Sequence, residues 1–156
     1  KSKFLIKNTL IKNSLSDGLD SDFSTGIVEE GIFQNIGNDA IDTSGSEIFI
    51  KNTKIYNVDD KALSAGEEST IKVENLLVNT STYGIVSKDL SNIIGTDVII
   101  SNSVIFDFMA FQKKMHYGPG FISINNVKSD NKIIAQKKSI IKINGKEIAS
   151  KIFHPN

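Results

Sequence analysis

Arginine and cysteine are both missing from the 156 residues. All 18 cations are therefore lysines, set against 18 acids for a formal net charge of zero. Without arginine, a nucleic-acid groove of the usual guanidinium-rich kind is not expected. Without cysteine there are no disulfides, and the redox compartment stays open. No apolar run is long enough to insert into a membrane, and Lys1 to Ile11 lacks the layout of a signal peptide. Apolar residues at helical spacing are also missing, which argues against a leucine-rich or helical solenoid.

What the chain does have is a phrase repeated four times at a spacing of 22 residues. It reads Asn13-Ser-Leu-Ser-Asp17-Gly-Leu-Asp20, Asn35-Ile-Gly-Asn-Asp39-Ala-Ile-Asp42, Asn57-Val-Asp-Asp-Lys61-Ala-Leu-Ser64 and Asn79-Thr-Ser-Thr-Tyr83-Gly-Ile-Val86. Leu19, Ile41, Leu63 and Ile85 form an aliphatic column, and Gly18, Ala40, Ala62 and Gly84 a small-residue column. A fixed period of this length signals stacked supersecondary units. Short alternating Ile and Val runs broken by Gly, Asn, Asp and Ser identify the units as strands and turns. The expected fold is all-β: a right-handed parallel β-helix of about six coils, each strand pairing with its copy one coil away.

Residues 1–139 are read as coils and residues 140–156 as a cap and tail. In the cap, Asn144-Gly145 stands between alternating runs, as in a tight hairpin. The strand-like opening Phe4-Leu5-Ile6 leads us to expect further coils upstream, in a larger secreted or cell-surface protein. Two asparagine ladders are expected at the corners, one of Asn8, Asn52, Asn75, Asn102 and Asn126, the other of Asn13, Asn35, Asn57 and Asn79. Glu30 interrupts the first. After Tyr83 the next matching phrase is Met109-Ala-Phe-Gln112, so about four inserted residues are expected around Asn92 to Thr96. Residues 1–74 carry 8 lysines and 13 acids, a balance of −5, and residues 75–156 carry 10 and 5, a balance of +5. A rod with such ends has a route to end-to-end self-association.

Asp17-Gly18-Leu19-Asp20, Asp39-Ala40-Ile41-Asp42 and Gly84-Ile85-Val86, each followed by a strand ending in Asn, resemble the right-handed parallel β-helix proteins of the pectate-lyase-like superfamily. The resemblance covers nearly the whole chain. It implies the fold and leaves activity open, because that superfamily includes lyases, hydrolases, epimerases and non-catalytic passengers.

Alternation after Leu19 predicts three outward columns forming a groove. The first holds Gly18, Ala40, Ala62, Gly84 and Ala110 as a small-residue floor. The second holds Asp20, Asp42, Ser64, Val86 and Gln112, and the third Asp22, Ser44, Gly66, Lys88 and Lys114. Two carboxylates about 5 Å apart repel by roughly 3 kcal/mol at an effective dielectric near 20, so stacked acids call for compensation. Asp17, Asp20, Asp39 and Asp42 are the candidate metal ligands, with calcium the hard cation that suits an all-oxygen set. Turn chemistry, with Lys61 as neutralising partner, explains the same columns without a metal.

A polysaccharide is the expected ligand, held by Asp22, Lys88 and Gln112 together with Lys114, His116 and Tyr117 of the irregular segment after Gln112. The enzymatic alternative is a lyase or epimerase on acidic glycans. Its base would be Lys61, although nearby carboxylates push a lysine pKa in the wrong direction. A hydrolase ranks lower: Asp39 and Asp42 offer an acid pair, but the superfamily's Gly-His-Gly and Arg-Ile-Lys phrases are missing.

Overall fold

The computed structural model describes residues 1–155 and shows a parallel β-solenoid of about six turns, with no helix among those residues. The first coil is β1 (Ser2–Lys7), β2 (Leu10–Ser14) and β3 (Leu19–Asp22). The second is β4 (Ser24–Glu29), β5 (Ile32–Ile36) and β6 (Ile41–Ser44). Three long strands follow, β7 (Glu47–Gly66), β8 (Thr70–Lys88) and β9 (Asn92–Phe111), each bent twice so that it makes a coil by itself. The last turn holds β10 (Phe121–Lys128) and β11 (Ile133–Ala135), and β12 (Ile140–Ile143) and β13 (Lys146–Glu147) close the chain.

Equivalent stretches pair in parallel from coil to coil and build three faces. Sheet A runs through β1, β4, the starts of β7, β8 and β9, then β10 and β12. Sheet B contains β2, β5 and the middles of the long strands, and sheet C contains β3, β6, their ends and β11. Inside, like residues stack on like. Leu19, Ile41, Leu63, Ile85, Phe108 and Ile133 form one continuous register line. Those between Ile41 and Phe108 are fully buried, and each such side chain is worth about 1.5–3 kcal/mol of apolar transfer.

The corners explain the asparagines. Turning between sheets A and B, Asn8, Glu30, Asn52, Asn75, Asp97 and Asn126 all have φ between 49° and 62°. Between B and C, Asn13, Asn35, Asn57, Thr80 and Asn102 lie between 54° and 70°. Asparagine tolerates this left-handed region better than any other residue with a Cβ. Its amide also bonds along the axis: Asn35 Nδ2 donates to Asn13 Oδ1 at 3.0 Å, Asn57 Nδ2 to Asn35 Oδ1 at 3.2 Å, and Asn75 Nδ2 to Asn52 Oδ1 at 2.9 Å.

Two expected positions shift. The turn into coil four holds one extra residue, at Glu67 and Glu68, so the pairing of β8 with β7 is shifted by one from Thr70 to Ser81, Thr80 takes the left-handed position and Asn79 lies beside Tyr56. Asn79 keeps its ladder role, accepting from Asn102 Nδ2 at 2.9 Å, which places Asn102 in the second ladder and Asp97 in the first. The inserted residues expected at Asn92 to Thr96 are not there. β9 pairs with β8 at an unbroken spacing from Asn92 to Ser103, one residue is added before Phe106, and the remaining length is the loop after Phe111.

A third ladder, at the corner from C back to A, is made of serines. Ser24 N donates to Ser46 Oγ at 3.0 Å, Ser46 N to Ser69 Oγ and Ser69 N to Ser91 Oγ, both at 3.1 Å. At the C-terminal end, β12 still pairs in parallel with β10. Asn144 and Gly145, at φ 53° and 79°, then turn the chain into the short antiparallel β13.

Candidate functional site

Sheet C and the corner leading into it bring acidic and lysine side chains of successive coils together. At its entry corner, Asp17, Asp39 and Lys61 stack with Tyr83 and Phe106. The two aspartates cap the coil that follows them. Asp17 Oδ1 accepts from Asp39 N at 3.0 Å and Asn38 Nδ2 at 2.7 Å, and Asp39 Oδ1 accepts from Lys61 N at 3.0 Å. Lys61 Nζ lies 3.5 Å from Asp39 Oδ1 and 2.5 Å from Asp60 Oδ2.

Asp39 is only 3% exposed, and burial pushes its pKa up to about 6. The attraction and backbone hydrogen bond of Lys61 oppose that rise, and Asp42 and Asp60 add to it. For Lys61, burial alone would lower the pKa; the hydrogen bond to Asp60 and the attraction of Asp39 and Asp60 outweigh it, and the net direction is upward.

The residues after this corner correct the expected groove. Ala40 and Ala62 are fully buried members of the core. A Cβ on Gly18 would stand 2.7 Å from the Ala40 carbonyl oxygen and 2.9 Å from the Phe33 ring. The small-residue column therefore looks inward, since the bend at residues 59–61 delays alternation until after Leu63. Two columns alternate with the core line: Asp20, Asp42, Ser64, Val86 and Met109, then Asp22, Ser44 and Gly66 followed by Lys88 and Phe111; Ser64, Gly66, Val86 and Phe111 are buried in them, and the aspartates, Ser44, Lys88 and Met109 keep solvent contact. Met109 and Phe111 hold the positions expected for Gln112 and Lys114, because the register after Ser103 is offset from the one the repeat suggested.

Carboxylate oxygens of Asp17, Asp20 and Asp42 converge within 4.8 Å of one another. Asp39 is committed to Lys61 and stands outside this group. Partial burial raises the pKa of Asp20, as does repulsion from Asp22, Asp42 and Asp17. The oxygen donors fit a hard cation.

The loop residues divide in role. The Gln112 side-chain amide donates to the carbonyls of Lys114, Met115 and Tyr117, and Asp89 Oδ1 accepts from Lys113 N and Lys114 N, both at 2.7 Å. Lys114 pairs with Glu67, whose hydrogen bond is the main cause of its raised pKa. His116 is exposed and its ring sits 4.6 Å from that of Tyr117, at the edge of sheet C. A cleft of about 610 Å³ lies between this loop and the tail, lined by Gln112, Lys113, Lys137 and His154 among others, at the opposite end of the coil stack from the three aspartates.

No family model, curated protein or solved structure matches the chain. The functional argument therefore rests on the geometry of sheet C together with the resemblance carried by the repeated phrases.

That geometry singles out an arrangement the sequence reading did not assemble. Lys88 lies flat along Gly66, where a Cβ would come within 3.0 Å of its Cε, and its Nζ donates to Ser64 Oγ at 3.1 Å. Among the described residues no carboxylate lies within ion-pairing distance of Lys88. The signal for it was present as a column that changes from Asp20 and Asp42 to Ser64, beside a glycine one coil before a lysine.

Proposed function

We propose that the outward face of sheet C is a binding surface for an acidic polysaccharide, assisted by calcium on Asp17, Asp20 and Asp42, in a protein that works at the cell surface or outside the cell. One observation carries the reading: three converging carboxylates and two lysines, Lys61 and Lys88, lie along sheet C and its entry corner over four successive coils. Close carboxylates repel, and a hard cation bridging them offsets that cost while leaving coordination positions for ligand oxygens. A polymer with regularly spaced acid groups then meets the cation at one end of the face and lysine at the other. The resemblance to the pectate-lyase-like superfamily supports a glycan as the polymer. Binding is favoured over elimination with Lys61 as base, because Asp60 and Asp39 hold that lysine protonated.

Titration calorimetry tests this directly. Calcium should give saturable heat that is lost in Asp20→Asn and Asp42→Asn. Polygalacturonate or alginate should bind more tightly with calcium than with chelator, and more weakly at high salt. An absence of heat with calcium and with both polymers would remove the proposal.

A further inference from the structure

We infer that Lys88 is the subsite on this surface that takes the oxyanion of the bound polymer, a carboxylate or sulfate borne on a sugar ring, with Gly66 and Ser64 as its positioning residues. The inference rests on the polysaccharide reading and adds to it the atom that meets the anion. Lysines seldom give up solvent without a carboxylate partner. Lys61 follows that rule, with Asp60 and Asp39 around it, and Lys88 departs from it.

Two neighbours on the preceding coil account for the pose. Gly66 supplies a flat track for the aliphatic stem, and Ser64 supplies a hydroxyl that holds the ammonium without neutralising it. An aspartate at position 64, like Asp20 and Asp42 in the same column, would have closed an internal ion pair. The serine instead leaves the cation available to a ligand.

The charged groups facing Lys88 are Asp42 and Asp39, which favour its charged form, and Lys61 and Lys113, which oppose it. Burial is the largest influence, and the net direction of its pKa is downward. An arriving anion restores the missing partner and raises that pKa again. Ligand binding therefore takes up protons, and affinity falls as pH rises through the free-state pKa.

Calorimetry of the whole chain at a series of pH values across the alkaline range in which lysines titrate, in two buffers of different ionisation enthalpy at each, reads this out. Polygalacturonate and dextran sulfate serve as the carboxylate and sulfate probes. For whichever polymer binds, the wild-type apparent enthalpy should differ between buffers in the sense of proton uptake. Lys88→Gln should lose that difference and weaken binding on the order of tenfold or more. Ser64→Asp should do the same with the lysine still present, and Gly66→Ala should weaken binding by displacing the lysine stem. A buffer-independent enthalpy, with Lys88→Gln and Ser64→Asp both binding within about twofold of wild type, would overturn the subsite and leave the surface reading standing. Failure of both polymers to bind the wild type would overturn both readings.

Discussion

Replacing Asp39 by asparagine isolates the least comfortable charge in the protein. Its carboxyl ionises near pH 6 in the fold against 3.8 for the unperturbed group. The folded state thus holds the proton over a range where the unfolded chain has released it. A carboxyl raised in this way contributes fully to stability below about pH 3.8, and that contribution is lost as pH rises through about 6. The gap is a little over two pH units, each worth about 1.4 kcal/mol, so wild type should lose about 3 kcal/mol across the window. Asparagine keeps an oxygen to accept from Lys61 N and does not titrate. Its amide sits near the Lys61 ammonium, but that contribution is constant in pH. Thermal unfolding of both proteins from about pH 4 to about pH 8 should show Asp39→Asn gaining on wild type by roughly 6–12 °C as pH rises, then holding level. A difference that stays flat with pH would refute the reasoning, because it would mean that Lys61 fully offsets the burial of Asp39.

The corners and the core give further tests. At Asn35, φ 57°, alanine loses the ladder and also pays for the left-handed backbone, whereas glycine loses only the ladder. Chemical denaturation should therefore rank Asn35→Ala below Asn35→Gly by about 1 kcal/mol. Ser46→Ala removes the acceptor of Ser24 N and the donor to Ser21 O in a buried corner, and about 1–3 kcal/mol of stability should go with it in the same assay. Gly95→Ala would put a Cβ 2.0 Å from the Val73 carbonyl oxygen, so the strands must separate. A loss of about 1–3 kcal/mol or more is expected, with a lowered melting temperature as the readout.

The solenoid was legible because its period is written in apolar and asparagine columns that tertiary packing then reproduces, as the line from Leu19 to Phe108 shows. Single-residue slips were not legible. Asn79 and Thr80 are both good corner residues, and only pairing with Tyr56 reveals which one turns. The serine ladder escaped notice because serine is common in turns for local reasons, and nothing in its spacing distinguishes a hydroxyl that bonds along the axis. Alternation also misleads next to a bend, which is why Ala40 and Ala62 read as a groove floor and are core. The stacked aspartates were visible, but their division was not. Whether a carboxylate caps a backbone amide, as Asp39 does, or turns toward its neighbours, as Asp20 does, depends on side-chain direction.

The three corner ladders have a mechanical consequence. Each runs along the axis, the first broken at Glu30, and their amides and hydroxyls link successive coils at the edges of the prism, where bending or torsion would first open a gap. Loads are shared among these lines and the strand hydrogen bonds between them, so neighbouring coils keep their separation of about 4.8 Å. Groups displayed on sheet C are then marks on a ruler of fixed pitch. If sheet C binds a polymer as proposed, a flexible chain laid against it would lose contacts wherever its own repeat drifted out of step, and the stiffness of the frame would select among polymers by the length of their repeat.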